Sequence, residues 1–197
     1  MKKLIIILGA VLVLSSCATT VKRVESGTQS DLSGYWNAKD VQIVCEALIN
    51  DCLSSARVAQ EIRTRSKKPV VIVGRFRNES SEQIDTRIIS TIMENVIFNS
   101  GALDFVAGGD TRADLRAERQ EQQSNASEET TAALGREIGA DFMLTGTVRT
   151  IVDREGNKSV RTYFVSAELT NIETNARMWL GHNDQITKVV TRPKNRL

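Results

Sequence analysis

Chemistry in this chain begins at Cys17, the thiol that closes Leu14-Ser15-Ser16-Cys17. Lys2 and Lys3 precede an apolar run of about eleven residues, Leu4 to Leu14, and two small residues then lead to the cysteine, which is the order of a secretory signal. The run is far short of the ~20 apolar residues a membrane-spanning helix needs, so it reads as a cleaved signal. Leu-Ser-Ser-Cys in this position looks like a bacterial lipobox, in which the thiol takes a diacylglycerol and the cysteine becomes the new N-terminus, so cleavage is expected between Ser16 and Cys17. Burial is worth ~0.8 kcal/mol per methylene, and two or more acyl chains make such an anchor stable.

The remaining reactive residues point away from catalysis. Cys45 and Cys52 are seven residues apart within one helical pattern. At ~1.5 Å rise per residue their Cα atoms stand about 10 Å apart, beyond disulfide reach, so both read as buried small hydrophobes. The single histidine, His182, ends the last expected strand with no serine or cysteine motif near it. Asp110 and Asp114 lie one helical turn apart and could share a cation, but a solvated helix terminus accounts for them better. No G-x-G-x-x-G or Walker sequence occurs, and Gly108-Gly109 reads as a turn. The chain is therefore expected to be no enzyme, with no cofactor and no metal. Loss of Lys2 and Lys3 on cleavage leaves 24 basic and 24 acidic residues, a balance that gives no reason to expect a nucleic-acid partner.

The elements that position these residues follow from periodicity. The sequence divides into a signal peptide over 1–16, a lipidated N-terminus and short polar tether over 17–34, a globular α/β domain over 35–190 and a basic tail over 191–197. Val41, Val44, Cys45, Leu48 and Cys52 recur at helical spacing behind Asn37, a suitable N-cap, with Asp40 in the first turn. A weaker helix over Ser54 to Arg65 turns Val58 and Ile62 inward. Pro69 opens Val70-Val71-Ile72-Val73-Gly74-Arg75-Phe76, a β-branched run expected to form a central strand covered on both faces. Asp85 caps a helix from Thr86 to Ser100 that Gly101 closes, and Leu103 to Ala107 is a second strand, parallel to the first. Thr111 to Gln123 has helical composition with Leu115 as its only large apolar residue, so it buries little. Its charges, with Arg112, Arg116 and Arg119, make it the candidate partner surface. A further helix is expected from Ser127 through Glu137. Phe142 to about Val152, then Val160 to Thr170 beyond a turn at Glu155-Gly156-Asn157, then Ala176 to His182 form a meander. The expected fold is a single-domain α/β sandwich with a mixed sheet of about five strands and helices on its faces.

Several stretches together resemble the LpoB-type lipoprotein activators of penicillin-binding proteins. They are Asp31 to Asn37, Pro69 to Gly74, Asn78 to Ile84, Arg116-Ala117-Glu118-Arg119 with Gln122-Gln123, Leu134 to Phe142 running to Gly146, and Trp179. The resemblance covers Asp31 to Lys188 and rests on the order and spacing of these segments. It implies a fold like the N-terminal domain of the TolB protein. It also implies an outer-membrane lipoprotein, facing the periplasm and anchored through Cys17, whose monomeric domain docks on a peptidoglycan synthase and stimulates it. Ala18 after the cysteine suits outer-membrane sorting. The alternative is a structural envelope assembly or secretion lipoprotein of the curli-secretion type, which uses a similar domain. The tether is short where the best-known members carry a long Pro-rich one.

Overall fold

The computed structural model describes residues 33–106, 109–124 and 139–192, with side chains left out at 109, 110, 119 and 122–124. The elements in order are α1 (Ala38–Ser54), α2 (Ala56–Thr64), β1 (Val70–Asn78), α3 (Thr86–Ser100), β2 (Asp104–Phe105), α4 (Gly109–Ser124), β3 (Phe142–Glu155), β4 (Lys158–Asn171), β5 (Arg177–Asn183) and β6 (Thr187–Thr191). The signal, most of the tether and the helix expected over Ser127 to Glu137 lie outside the described residues.

Local chemistry sets the helix ends. The Asn37 side chain accepts from the Lys39 and Asp40 amides, and Asp40 accepts in return from the Asn37 amide at 2.9 Å, a reciprocal capping box. Asp85 caps α3 through the Arg87 amide, and Gly101 ends it at φ 63°, where a side chain would be strained. Ser55 in extended conformation separates α1 from α2.

One mixed sheet carries the fold, in the order β2-β1-β3-β4-β5, with β6 also paired to β4. β1 is parallel to β2 and to β3, whereas β4 is antiparallel to β3, β5 and β6. β5 and β6 share one edge of β4: β5 takes Val165 to Thr170, and β6 takes Lys158 to Thr162. The sixth strand is thus an addition to the expected five, and it includes Thr191, which the sequence placed in the tail. β2 is shorter than Leu103 to Ala107, so β3 and β4 are the central strands and β1 stands beside a two-residue edge.

Side chains from one face of the sheet and from α1, α2 and α3 make the core. Val71, Val73 and Phe76 all point into it because two residues of β1, Gly74 and Arg75, face the single Thr145 of β3, and this bulge resets the alternation. Opposite them lie Phe142, Leu144 and Val148 of β3, Val165, Ala167 and Leu169 of β4, and Trp179 of β5. Phe76 and Trp179 lie over Gly146 and Gly181, where any Cβ would collide with the rings. Val41, Val44, Cys45, Leu48 and Cys52 are buried as their spacing predicts, but Ile88 of α3 is 51% exposed. Cys45 and Cys52 are free thiols, and burial pushes both up to about 12.

Candidate functional site

Of the residues singled out by sequence, Cys17 lies outside the described residues. Arg112 and Arg116 fall one turn apart on α4, on one side of the helix, Arg112 half-buried and Arg116 exposed. Arg119 is on the same helix, but its side chain is not among those described. Leu115 is 43% exposed, as expected of a helix with one large apolar residue. Asp114 and His182 are exposed, and no cluster of three or more potential metal ligands occurs among the described residues.

A second constellation lies where the tether would enter the domain. Ser33 to Asn37 crosses the covered face of the sheet and is held there by side chains from three elements distant in sequence. Lys188 of β6 donates to the Tyr35 carbonyl at 2.8 Å and to Asp40 Oδ2 at 2.5 Å, and both members of that ion pair are buried. Arg161 of β4 donates from Nη1 to the Gly34 carbonyl at 2.8 Å and stacks over the Tyr35 ring. Its Nε lies 2.8 Å from Glu82 Oε1, an ion pair whose N–H is not aligned with the carboxylate. Glu82 also accepts from the Tyr163 hydroxyl at 2.9 Å, and Trp36 leans on the Tyr163 ring with centroids 5.0 Å apart. Burial, with Glu82 adding to it, pushes the Tyr163 hydroxyl well above its usual range. Two carboxylates thus face two cations, the Asp40–Lys188 pair buried and the Glu82–Arg161 pair half-buried, and each cation also holds a tether-proximal carbonyl. The cluster positions a chain, fixing Gly34 and Tyr35 against the sheet. Sequence reading placed Tyr163 on the sheet but missed the cluster, because Asp40 and Lys188 are 148 residues apart.

A third feature is the sheet face opposite α1–α3. A groove of about 790 Å³ runs over it, with Met143 and Leu180 on its floor and Arg75, Arg77, Arg149 and Arg177 among its walls. Arg149 pairs with Glu79 at 2.7 Å and Arg177 with Glu168 at 2.9 Å, whereas Arg75 has no partner among the described residues. Four guanidinium groups against two carboxylates leave the face positive.

A family model for the peptidoglycan-synthase activator LpoB matches residues 40–184, from the first turn of α1 to just past β5. Among solved structures, the C-terminal domain of LpoB from Escherichia coli aligns over 78% of this chain and 99% of its own, at 14% identity and a TM-score of 0.45. The corresponding domain from Salmonella enterica aligns over the same shares at 13% identity and 0.44. A lipoprotein of Neisseria meningitidis aligns over 66% of this chain and 86% of its own, at 16% identity and 0.36. Among curated proteins no sequence relative is found.

Proposed function

The chain belongs to the LpoB family of peptidoglycan-synthase activators, and on that premise we propose that it is a non-catalytic outer-membrane lipoprotein that docks on a penicillin-binding protein and raises its activity. The observation that carries this reading is the family match, which spans the whole of the core from Asp40 to β5. Cys17 supplies the lipid anchor, and no described helix is long and apolar enough to cross a membrane. Activation requires only that the domain bind and bias the synthase, since a ligand shifts an equilibrium by its differential affinity for two states. The clamp on Gly34 and Tyr35 suits a domain held by its N-terminus, because it fixes where the tether meets the sheet.

Docking is assigned to α4, whose charged surface is joined to the core by little apolar burial. Charge reversal at Arg112, Arg116 and Arg119 is expected to weaken synthase binding while leaving the melting temperature nearly unchanged, because charges on a helix with little apolar burial add little stability and much of an interface's selectivity. The direct test mixes the purified mature lipoprotein with a bifunctional synthase of the same bacterium and follows polymerisation of a lipid-linked precursor. A rate that rises and saturates with added lipoprotein is expected. A flat rate up to molar excess over every bifunctional synthase of that bacterium would remove the activator reading.

A further inference from the structure

β1 is much longer than the strand beside its outer edge. β2 pairs with Val70 and Val71, and the Val106 amide donates to the Val71 carbonyl. From Val73 to Asn78 no strand lies beside that edge among the described residues. Successive residues of a strand turn their backbone groups to opposite edges. Glu79 donates to the Val148 carbonyl on the β3 side, so Asn78 and Phe76 turn their N–H and C=O groups to the outer edge. α3 roofs this edge. Ser90 donates from Oγ to the Gly74 carbonyl at 3.3 Å, and a groove of about 790 Å³ runs between Arg75 to Asn78 on the strand and Thr86, Ser90 and Thr91 on the helix.

Charge selects what can lie there. Arg75 and Arg77 are exposed and line both this groove and the one over the open face, so they stand on the rim between the two. Arg75 has no partner among the described residues, and Arg77 lies 3.9 Å from Glu79, whose carboxylate Arg149 already holds at 2.7 Å. Arg87, at the start of the roof, is answered by Asp85 at 2.7 Å. Charges on an edge strand commonly guard it against unwanted pairing. Here the guard is selective. A second copy would set its own Arg75 and Arg77 against these, and like charges across strands repel, whereas carboxylates at alternate positions of an incoming strand would meet them. We propose that the outer edge of β1 binds an extended acidic segment of a partner protein as an added strand. Its backbone pairs with Phe76 and Asn78, aspartate or glutamate at alternate positions faces Arg75 and Arg77, and small uncharged residues between them lie under Thr86, Ser90 and Thr91. Main-chain bonds supply the affinity of such additions, and the alternate side chains supply their selectivity. The site uses no residue of α4 and does not depend on the assignment of synthase docking to that helix.

The test titrates the full mature chain in detergent micelles with a short capped peptide of alternating threonine and glutamate, threonine being a good strand former. Saturable binding with a Kd below about 1 mM is expected, with the Asn78 amide exchanging at least about tenfold slower in the complex and those of Leu144 and Val148 unchanged. The same peptide with lysine for glutamate is expected not to bind. In the double variant Arg75→Glu, Arg77→Glu the preference is expected to reverse, a gain of lysine-peptide binding that a misfolded protein could not show. N-methylation of the peptide separates strand pairing from simple ion pairing, because alternate amides face opposite edges. Methyl groups on one alternate set are expected to abolish binding, and those on the other set to leave it largely intact. The proposal is overturned by the absence of saturable binding up to about 1 mM, by glutamate-peptide binding that survives the charge swap, by equal loss from both methylated sets, or by an Asn78 amide that does not respond. An Asn78 amide as protected in the free chain as that of Val148 would show that the chain fills its own edge, and overturns it too.

Discussion

Lys188 and Asp40 are both buried, and a buried charge is tolerable only when its partner and its remaining hydrogen bonds are present. Lys188 meets that condition with Asp40 and the Tyr35 carbonyl, and Asp40 also accepts from the Asn37 amide. Lys188→Met is therefore expected to cost about 3 kcal/mol in urea unfolding, because it leaves an uncompensated carboxylate under the N-terminal strap. Pairing it with Asp40→Asn is expected to recover part of that loss, and a double variant as unstable as the sum of the two singles would show that the charges do not interact. The thiols present the opposite case, since burial without a charged partner makes them inert. With Cys45 and Cys52 pushed up to about 12, neither holds appreciable thiolate near neutral pH. Alkylation at pH 8 is expected to label neither in the folded domain and both after denaturation. A two-dalton mass deficit with neither thiol labelled would mean that they pair after all.

Elements with strong local signals were legible in the sequence, and those built from distant contacts were not. α1 could be read from Asn37, Asp40 and five apolar residues at helical spacing, and α3 from the interval between Asp85 and Gly101. The β3–β4 turn at Gly156-Asn157 was equally plain. β6 escaped notice because five residues, two of them valine, satisfy no period, and their partner is the lower half of a strand whose upper half was already assigned to β5. The bulge at Gly74-Arg75 was invisible for a related reason: only the register against Thr145 reveals it. At the candidate site, the charged exposed character of α4 followed from composition, whereas the clamp around Gly34 and Tyr35 depends on Glu82, Arg161 and Lys188 arriving from elsewhere. Asp141 shows how one residue joins several elements. Its carboxylate accepts from the Val70 amide at 2.8 Å and pairs with Arg65 of the α2 C-cap, while its backbone bonds to Val70 and Ile172. Burial alone would raise its pKa, but the Val70 amide and then Arg65 outweigh that effect and hold the carboxyl below the usual range. A depressed pKa contributes stability that is present above the unfolded value of ~3.9 and is lost as pH falls through the folded value. Asp141→Asn is expected to be less stable than the parent at pH 7, with the gap closing below about pH 4. A gap of constant size down to pH 2 would mean that the charge of Asp141 is immaterial.

At the scale of the whole molecule, the proposed function turns on how far a domain fixed at Gly34 can travel from a lipid on Cys17. Arg161 holds the Gly34 carbonyl and Lys188 that of Tyr35, so slack in the tether ends there and the domain cannot lengthen its reach by releasing more chain at low cost. Ala18 to Gly34 is seventeen residues. Fully extended, such a length spans ~60 Å at about 3.3 to 3.6 Å per residue. As a coil its root-mean-square span is ~23 Å, from roughly 5.5 Å times the square root of the residue number. Extension toward the upper limit gives up most of the conformational entropy of the segment, so action far from the anchoring membrane is opposed at every step. A synthase in the opposite membrane must then project most of the way across, or the membranes must stand close. Deleting Glu25 to Ser30 is expected to reduce activity in cells while leaving activation in solution by the same variant at the parent level. Inserting twenty flexible residues after Gly27 is expected to leave cellular activity unchanged or raise it. A shortened tether with full activity in cells would show that reach is not limiting, and the partner would then have to lie at the anchoring membrane.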